Sequence, residues 1–183
     1  MFKQNTNHNQ WHVMKLFMTF LLLFVFIKAY VFSSFVVDGI SMEPTLKDGN
    51  MIMVNEMVYT YQAIDHFDII VFKNEDGSYF VKRVIGLPGD QVEMKEGHLY
   101  LNGNKIEESY INYIQIDSIL MDFNLEEITG ESHIPAGKLF VLGDNRERSL
   151  DSRNFGFINQ ESVVGKVDLH YWSMSQLAVK LIN

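Results

Sequence analysis

The chain has 183 residues, enough for one domain with a hydrophobic core and an anchor but too few for two large domains. Its 15 basic and 23 acidic side chains give a formal net charge of −8, which argues against nucleic acid as a partner because phosphate binding requires clustered lysine and arginine. The absence of cysteine excludes disulfide bonds, zinc–thiolate sites and a cysteine nucleophile, and the six histidines are scattered without metal-ligand spacing.

The N-terminal part of the sequence changes from polar to strongly apolar. Residues 1–10 are polar and asparagine-rich, and we expect a short, disordered cytoplasmic tail. Residues 11–35 are predicted to form a transmembrane helix and a juxtamembrane segment. Within them, Leu16–Ile27 contains only Thr19 as a polar residue, and twenty helical residues span ~30 Å, the thickness of the hydrocarbon layer. A cleavable signal peptide and a buried core helix are the competing interpretations, but no convincing small-x-small cleavage site precedes Asp38.

The charges that flank this apolar segment indicate its orientation. Lys3 and Lys15 lie on its N-terminal side without nearby acids, whereas acidic residues begin at Asp38 beyond it. Because positive charge is enriched on the cytoplasmic side of membrane spans, we expect the N-terminus inside the cell. Residues 36–183 would then form an extracytoplasmic domain of a single-pass cell-membrane protein.

Residues 36–183 are rich in short β-prone segments separated by glycine and asparagine turns. The segments predicted as strands are 50–58, 67–72, 78–85, 91–94, 98–101, 139–142 and 163–172. Strands of this length without a long amphipathic helix predict an all-β fold, either a β-sandwich or a partial barrel. Residues 89–134 are assigned to a small cap subdomain, in which residues 107–132 lack a clean period and are expected to form an irregular insertion.

Lys82 is the first candidate for chemistry. A lysine has an ordinary pKa of ~10.4 and can accept a proton only when it is neutral, so a lysine base must be buried among apolar groups. Alternate residues of a strand share a face, so Lys82 can be buried while Arg83 points the other way. The competing interpretation is a solvated basic pair on an edge strand.

Ser41 is the second candidate. A serine before a proline-containing turn is usually a turn residue. Pro44 has no backbone N–H and restricts Glu43 to extended conformations, so the turn can expose the Ser41 hydroxyl and direct its backbone N–H at a substrate oxyanion. From the residues alone, both interpretations of Ser41 remain open.

Three motifs in this order behind an N-terminal anchor resemble the signature blocks of bacterial type I signal peptidases, serine peptidases that use a lysine where better-known ones use histidine. The blocks are Ser41–Leu46, Val81–Asp90 and Gly143–Arg153. The resemblance extends from the anchor to about Gly165, and three blocks in the correct order are specific although one alone would be weak. It implies a signal-peptidase-like β-sandwich or partial barrel with one N-terminal transmembrane helix and a small irregular insertion.

The resemblance also implies roles for single residues. Ser41 would be the nucleophile, Lys82 the general base, and Ser149 would form a hydrogen bond that orients Lys82. An ion pair that braces the site would be formed among Asp144, Asp151 and Arg153. The Ser41 N–H is a candidate oxyanion donor. Some family members carry a serine two positions before the nucleophile, and Gly39 takes that place here, which leaves the second oxyanion donor open and lets the substrate chain approach closely.

The family cleaves after small-x-small sequences, typically Ala-x-Ala, at the end of the signal peptides of exported preproteins. The implied partners are these preproteins as extended chains, the lipid bilayer and, by proximity, the secretion machinery, and no metal or cofactor is required. Candidate substrate-pocket residues, at least half of which we expect to be ordinary core, are Val37, Met42, Leu46, Phe80 and Val81.

Two other functions compete with this one. A different Ser/Lys peptidase, such as a self-cleaving repressor, is disfavoured by the anchor, the acidic charge and the lack of a DNA-binding module. A catalytically silent, membrane-anchored β-domain that binds preproteins or partners is disfavoured because Ser41, Lys82 and Ser149 are all present.

Overall fold

The computed structural model describes residues 6–111 and 122–171, and the chain divides into two compact units, Met1–Ser33 and Ser34–Asn183. The first unit contains helix α1, Thr6–Val31. Residues 6–10 are therefore helical, contrary to the predicted disordered tail, whereas residues 1–5 of that tail lie outside the described residues.

Helix α1 carries large apolar side chains on its surface. Leu16, Phe17 and Phe20 are 72%, 64% and 70% exposed. Within the part of the chain that the structure describes, no helix combines the length and the apolar character needed to cross a membrane. The transmembrane span that the sequence indicates is thus not confirmed and stays a prediction.

The second unit is mostly β, as predicted. Its strands are β1 Phe32–Val36, which begins two residues before the unit, β2 Met51–Asn55, β3 Ile69–Lys73, β4 Tyr79–Gly86, β5 Val92–Lys95, β6 His98–Leu101, β7 Asn104–Lys105, β8 Phe123–Asn124, β9 Lys138–Leu142, β10 Ile158–Asn159 and β11 Val163–Tyr171. Short helices follow three of them: α2 Val58–Tyr61, α3 Leu125–Thr129 and α4 Ser152–Phe155. A curled seven-stranded sheet has the order β1-β2-β11-β3-β4-β9-β10, and a four-stranded sheet has the order β7-β6-β5-β8.

Strand β4 lies inside the larger sheet, between β3 and β9, and both pairings are antiparallel. In this register Lys82 is opposite Ile70 of β3, and Arg83 is opposite Leu142 of β9. Both neighbours are fully buried apolar residues. A lysine in such a strand is removed from water on both edges, which an edge strand would not achieve.

The main departures from the predicted strands have local causes. The predicted strand 50–58 ends at Asn55, because the Asn55 side chain accepts a hydrogen bond from the Met57 amide at 3.2 Å and turns the chain into α2. In the predicted irregular insertion, the side chain of Asn124 caps α3, and Gly130 ends that helix in a left-handed conformation with φ of 78°.

The remaining boundaries concern the insertion and the C-terminus. Residues 112–121 of the insertion lie outside the described residues, as does the end of the last predicted strand at Trp172. Strands β5 to β8 fall inside the predicted cap, residues 89–134, and belong to the same compact unit as the rest of the β-domain.

Candidate active site

The turn around Ser41 is held from two sides. Within the turn, the Glu43 amide donates a hydrogen bond to the Ile40 carbonyl at 3.1 Å. From the third motif, the Asn145 amide donates to the Ser41 carbonyl at 3.0 Å, and the Asn145 side chain donates to the Ile40 carbonyl at 3.2 Å. The side chain of Met42, directly after Ser41, is buried in the core. The first and third motifs therefore meet at this turn.

Lys82 reaches the same point from β4. Its Nζ lies 2.8 Å from Oγ of Ser41, and it also donates a hydrogen bond to the Val81 carbonyl at 3.1 Å. The residue is only 5% exposed, and Nζ lies 5.5 Å from the centroid of the Phe80 ring. The structure thus brings the two predicted catalytic side chains, 41 residues apart in sequence, into direct contact.

The surroundings of Lys82 favour its neutral form. Burial lowers the pKa of Lys82 from 10.5 to about 8, although attraction to Asp151 and Asp144 partly opposes this shift. At pH 7 the neutral fraction of the amine rises from ~0.03% to ~10%. A neutral amine accepts protons, so the Ser41 hydroxyl can then donate to Nζ across the same 2.8 Å.

Asp144 connects the two catalytic segments. Arg83 donates to its carboxylate from Nη2 at 2.6 Å and from Nε at 2.8 Å, and the Asp144 side chain is completely buried. The Thr45 hydroxyl donates to the same carboxylate at 2.5 Å. Because Arg83 follows Lys82 and Thr45 belongs to the Ser41 motif, one carboxylate joins the strand of the predicted base to the turn of the predicted nucleophile.

A second buried carboxylate, that of Asp151, organises the third motif. Arg153 donates to it from Nε at 2.8 Å and from Nη2 at 2.9 Å, and the Gly143 amide donates to it at 3.0 Å. The sequence predicted one ion pair among Asp144, Asp151 and Arg153, whereas Asp144 pairs with Arg83 instead. Each completely buried carboxylate requires its own cation, because an unpaired buried charge is costly.

The prediction for Ser149 is not met in this structure. Its Oγ is buried without a hydrogen-bond partner among the described residues. It lies beside Gly143, where an added Cβ would collide with it. The hydrogen bonds of the Lys82 amine go to Ser41 and to the Val81 carbonyl, so the predicted hydrogen bond between Ser149 and Lys82 is not formed.

The two predicted oxyanion residues differ in what they offer. The Gly39 amide donates to the Asp48 carboxylate at 2.8 Å, so it is not a free second donor. A Cβ at Gly39 would meet nothing within 4 Å, which leaves room for a substrate chain. In the described part of the chain, the Ser41 amide makes no hydrogen bond and remains a candidate donor.

An open cleft of about 330 Å³ borders Ser41 and Lys82. The predicted pocket residues that line it are Val37, Met42, Phe80 and Val81. Leu46 is not among the residues that line the cleft, and it packs in an apolar cluster that also contains Val37 and Met42. The cleft wall is therefore apolar next to the hydroxyl, and Asp38 and Arg148 also line it.

Sequence reasoning missed the buried ion pair between Glu108 and Arg146, and the Tyr110 hydroxyl bonded to it. The position of Arg146 inside the third motif could have indicated a role at the site. Glu108 and Tyr110 lie in a stretch without periodicity, and nothing in the sequence around them indicates a buried ion pair. Thr45 lies within the first motif, but nothing in the sequence indicates that its hydroxyl donates to Asp144.

Comparison with known proteins identifies the family that this chain matches. The family model described as signal peptidase, peptidase S26, matches residues 10–172. A signal peptidase I of Bacillus caldolyticus is 49% identical over 156 residues, covering 83% of this chain and 86% of that protein. A signal peptidase IB of Staphylococcus aureus is 39% identical over 172 residues, covering 90% of each chain.

The fold has a solved counterpart. A crystal structure of a signal peptidase I from Enterococcus faecalis V583 is 43% identical and superimposes with a TM-score of 0.54. The match covers 58% of this chain and 97% of the other.

Proposed function

Since the chain belongs to the signal peptidase family, peptidase S26, we propose that it removes signal peptides with Ser41 as nucleophile and Lys82 as general base. Family membership makes the chain a peptidase and a hydrolase. The observation that carries the proposed mechanism is the 2.8 Å contact between Lys82 Nζ and Ser41 Oγ in a buried setting.

In the first half of the reaction, neutral Lys82 takes the hydroxyl proton of Ser41 while Oγ bonds to the carbonyl carbon of the scissile peptide. The tetrahedral intermediate then breaks its carbon–nitrogen bond. The Lys82 ammonium returns the proton to the departing amine, which is the new N-terminus of the mature protein. An ester between Ser41 and the signal peptide remains.

In the second half, the again neutral Lys82 takes a proton from a water molecule that attacks the ester carbonyl. The carbon–oxygen bond to Ser41 breaks, and the proton on Lys82 passes to Oγ. The enzyme is restored and the signal peptide leaves with a free carboxylate. The same amine serves both steps, so its low pKa is needed twice.

The oxyanion formed in both steps needs donors. The Ser41 amide is the first, because it belongs to the attacking residue and makes no hydrogen bond within the described residues. The Gly39 amide is bound to Asp48, so Gly39 contributes space rather than a donor. Losing one donor typically costs ~10²–10³ in rate, so a second group supplied on substrate binding is expected.

The substrate lies extended in the cleft, with small residues at alternate positions facing its apolar wall. Alternate side chains of an extended peptide share a face, which accounts for a small-x-small requirement. The residues proposed to contact them are Val37, Met42, Phe80 and Val81. A large side chain at either small position would clash with this wall.

Helix α1 anchors the enzyme to the membrane in this proposal, with the N-terminus in the cytoplasm and the β-domain outside. The support is the apolar sequence of Leu16–Ile27 and the exposed apolar surface of α1. Confinement to the same membrane raises the effective concentration of enzyme and preprotein. Resistance of the full chain to alkaline extraction from membranes tests this part. Release into the soluble fraction would contradict it.

Cleavage of a purified preprotein with an Ala-x-Ala site tests the proposal as a whole. Wild type should cut after the second alanine, whereas Ser41→Ala and Lys82→Ala should lose at least about 10³-fold in rate. A preprotein with leucine in place of the final alanine should not be cut.

The matched control variants truncate another serine and another lysine, both outside the cleft. Ser78 and Lys95 are exposed and lie outside the cleft, so Ser78→Ala and Lys95→Ala should cleave like wild type. Cleavage at the normal rate by Ser41→Ala or Lys82→Ala, or no cleavage by wild type, would refute the proposal.

A further inference from the structure

Glu108 is a buried acid that the proposed reaction does not use. The residue is 2% exposed, and its carboxylate forms a two-pronged ion pair with Arg146, through Nη2 and through Nη1 at 3.3 Å. The Tyr110 hydroxyl donates to the same carboxylate at 2.5 Å. A buried ion pair stabilises a fold only when the pair has good geometry and the remaining polar atoms of both groups are hydrogen-bonded.

Arg146 connects the Glu108 carboxylate to the backbone that packs against the predicted nucleophile, Ser41. While its terminal nitrogens bind Glu108, its Nε donates to the Gly143 carbonyl at 3.0 Å. Gly143 is packed against the backbone of Ser41, because a Cβ at Gly143 would lie 2.5 Å from the Ser41 carbonyl oxygen. The orientation of Arg146 therefore sets the position of the peptide against which Ser41 rests.

Tyr110 provides a second route to the same site. Its ring lies 3.8 Å from the guanidinium carbon of Arg83, measured to the ring centroid. That guanidinium holds Asp144, whose carboxylate accepts the Thr45 hydroxyl next to the Ser41 turn. Stacking on an aromatic ring fixes the orientation of a planar guanidinium and therefore the directions in which its N–H groups donate.

We propose that Glu108 and Tyr110 form a brace that positions Ser41 against Lys82, with Glu108 as a positioning residue acting through Arg146. This inference rests on the proposed function of the dyad. The Glu108 carboxylate orients Arg146 directly, and Tyr110, which is bonded to Glu108, orients Arg83 through its ring. Removing the charge of Glu108 removes the ion pair that orients the Arg146 guanidinium, whose Nε donates to the Gly143 carbonyl.

Glu108→Gln is the principal test, because it keeps the shape of the side chain and removes its charge. The rate is measured in a single turnover of the Ala-x-Ala preprotein, with the full chain in saturating excess, so that an inactive fraction does not alter the rate constant. We expect the rate constant to fall about 10- to 100-fold, the size associated with a misplaced reacting group. The enzyme concentration at half-saturation should stay within about twofold, because Glu108 does not line the cleft.

Tyr110→Phe is a milder second variant. It keeps the ring on Arg83 and removes only the hydroxyl bonded to Glu108. We expect a several-fold slower single turnover, and this variant alone decides if Glu108→Gln does not fold. Phe123→Leu is the matched control, because Phe123 is buried in the core against the Phe140 ring. It should lose stability and keep its single-turnover rate.

Two results overturn the proposal. One is an unchanged single-turnover rate in every folded brace variant. The other is a fall in rate that Phe123→Leu reproduces at the same loss of stability, because the brace would then act on folding alone. Failure of the proposed function is a separate outcome, since wild type itself would then leave the preprotein uncut.

Discussion

Replacing Lys82 by methionine should abolish cleavage and, at neutral pH, stabilise the fold. Methionine has a similar length and no charge, and it fits beside the Phe80 ring. In the unfolded chain the lysine keeps its ordinary pKa of 10.5, whereas in the folded chain burial lowers the pKa to about 8. The folded state therefore binds this proton less tightly, and stability is reduced wherever the amine must be protonated in both states.

The size of the effect follows from the two pKa values. Below pH 8 both states are protonated and the cost of the buried charge is fully present. Between pH 8 and 10.5 the folded state has lost the proton and the unfolded state has not, so wild type gains stability as pH rises. At ~1.4 kcal/mol for each pH unit the whole change is about 3 kcal/mol. Lost hydrogen bonds of Lys82 offset about 1–2 kcal/mol of this.

Urea unfolding of the full chain in mild detergent, followed by the circular dichroism of the β-domain, measures the difference. Lys82→Met should be about 1–2 kcal/mol more stable than wild type at pH 7. Its advantage should shrink and reverse in sign between pH 8 and 10.5. Other titrating groups are common to both proteins and cancel in the difference. A variant less stable at pH 7, or a difference that does not change with pH, would refute a lysine whose pKa is lowered by burial.

Two further substitutions test the supporting structure. Arg83→Met should cost about 3–5 kcal/mol in unfolding free energy because it leaves the Asp144 carboxylate buried and unpaired, and an equally stable variant in urea unfolding would contradict that pairing. Gly143→Ala should cost about 1–3 kcal/mol and slow cleavage, because its Cβ would overlap Ser149 Oγ and the Ser41 carbonyl. Unchanged cleavage by a folded Gly143→Ala would contradict the prediction, because the Gly143 loop would then accommodate the methyl group without displacing Ser41.

Local pattern and motif order together predicted much of this protein. The family resemblance rested on three short motifs and is confirmed by the match over residues 10–172. The mostly β fold is confirmed as well. The period of two in β4 correctly separated the environments of Lys82 and Arg83: the first reaches Ser41, and the second reaches Asp144.

What the sequence did not reveal depends on distant partners. Glu108 pairs with Arg146 across 38 residues, and Arg83 pairs with Asp144 across 61. Nothing local to a carboxylate states which arginine will neutralise it. The position of Leu46 close after Ser41 suggested a pocket residue, but the Leu46 amide donates a hydrogen bond to the Met42 carbonyl, and this turn directs the Leu46 side chain into the core.

The pH dependence of preprotein cleavage tests the central claim most directly. For wild type, kcat/KM on an Ala-x-Ala preprotein should rise with pH through an apparent pKa near 8, the value to which burial lowers Lys82. Lys82→Met should show no such rise and only residual cleavage. A profile that rises only near pH 10, or Lys82→Met cleaving at the wild-type rate, would contradict a neutral lysine as the base for Ser41.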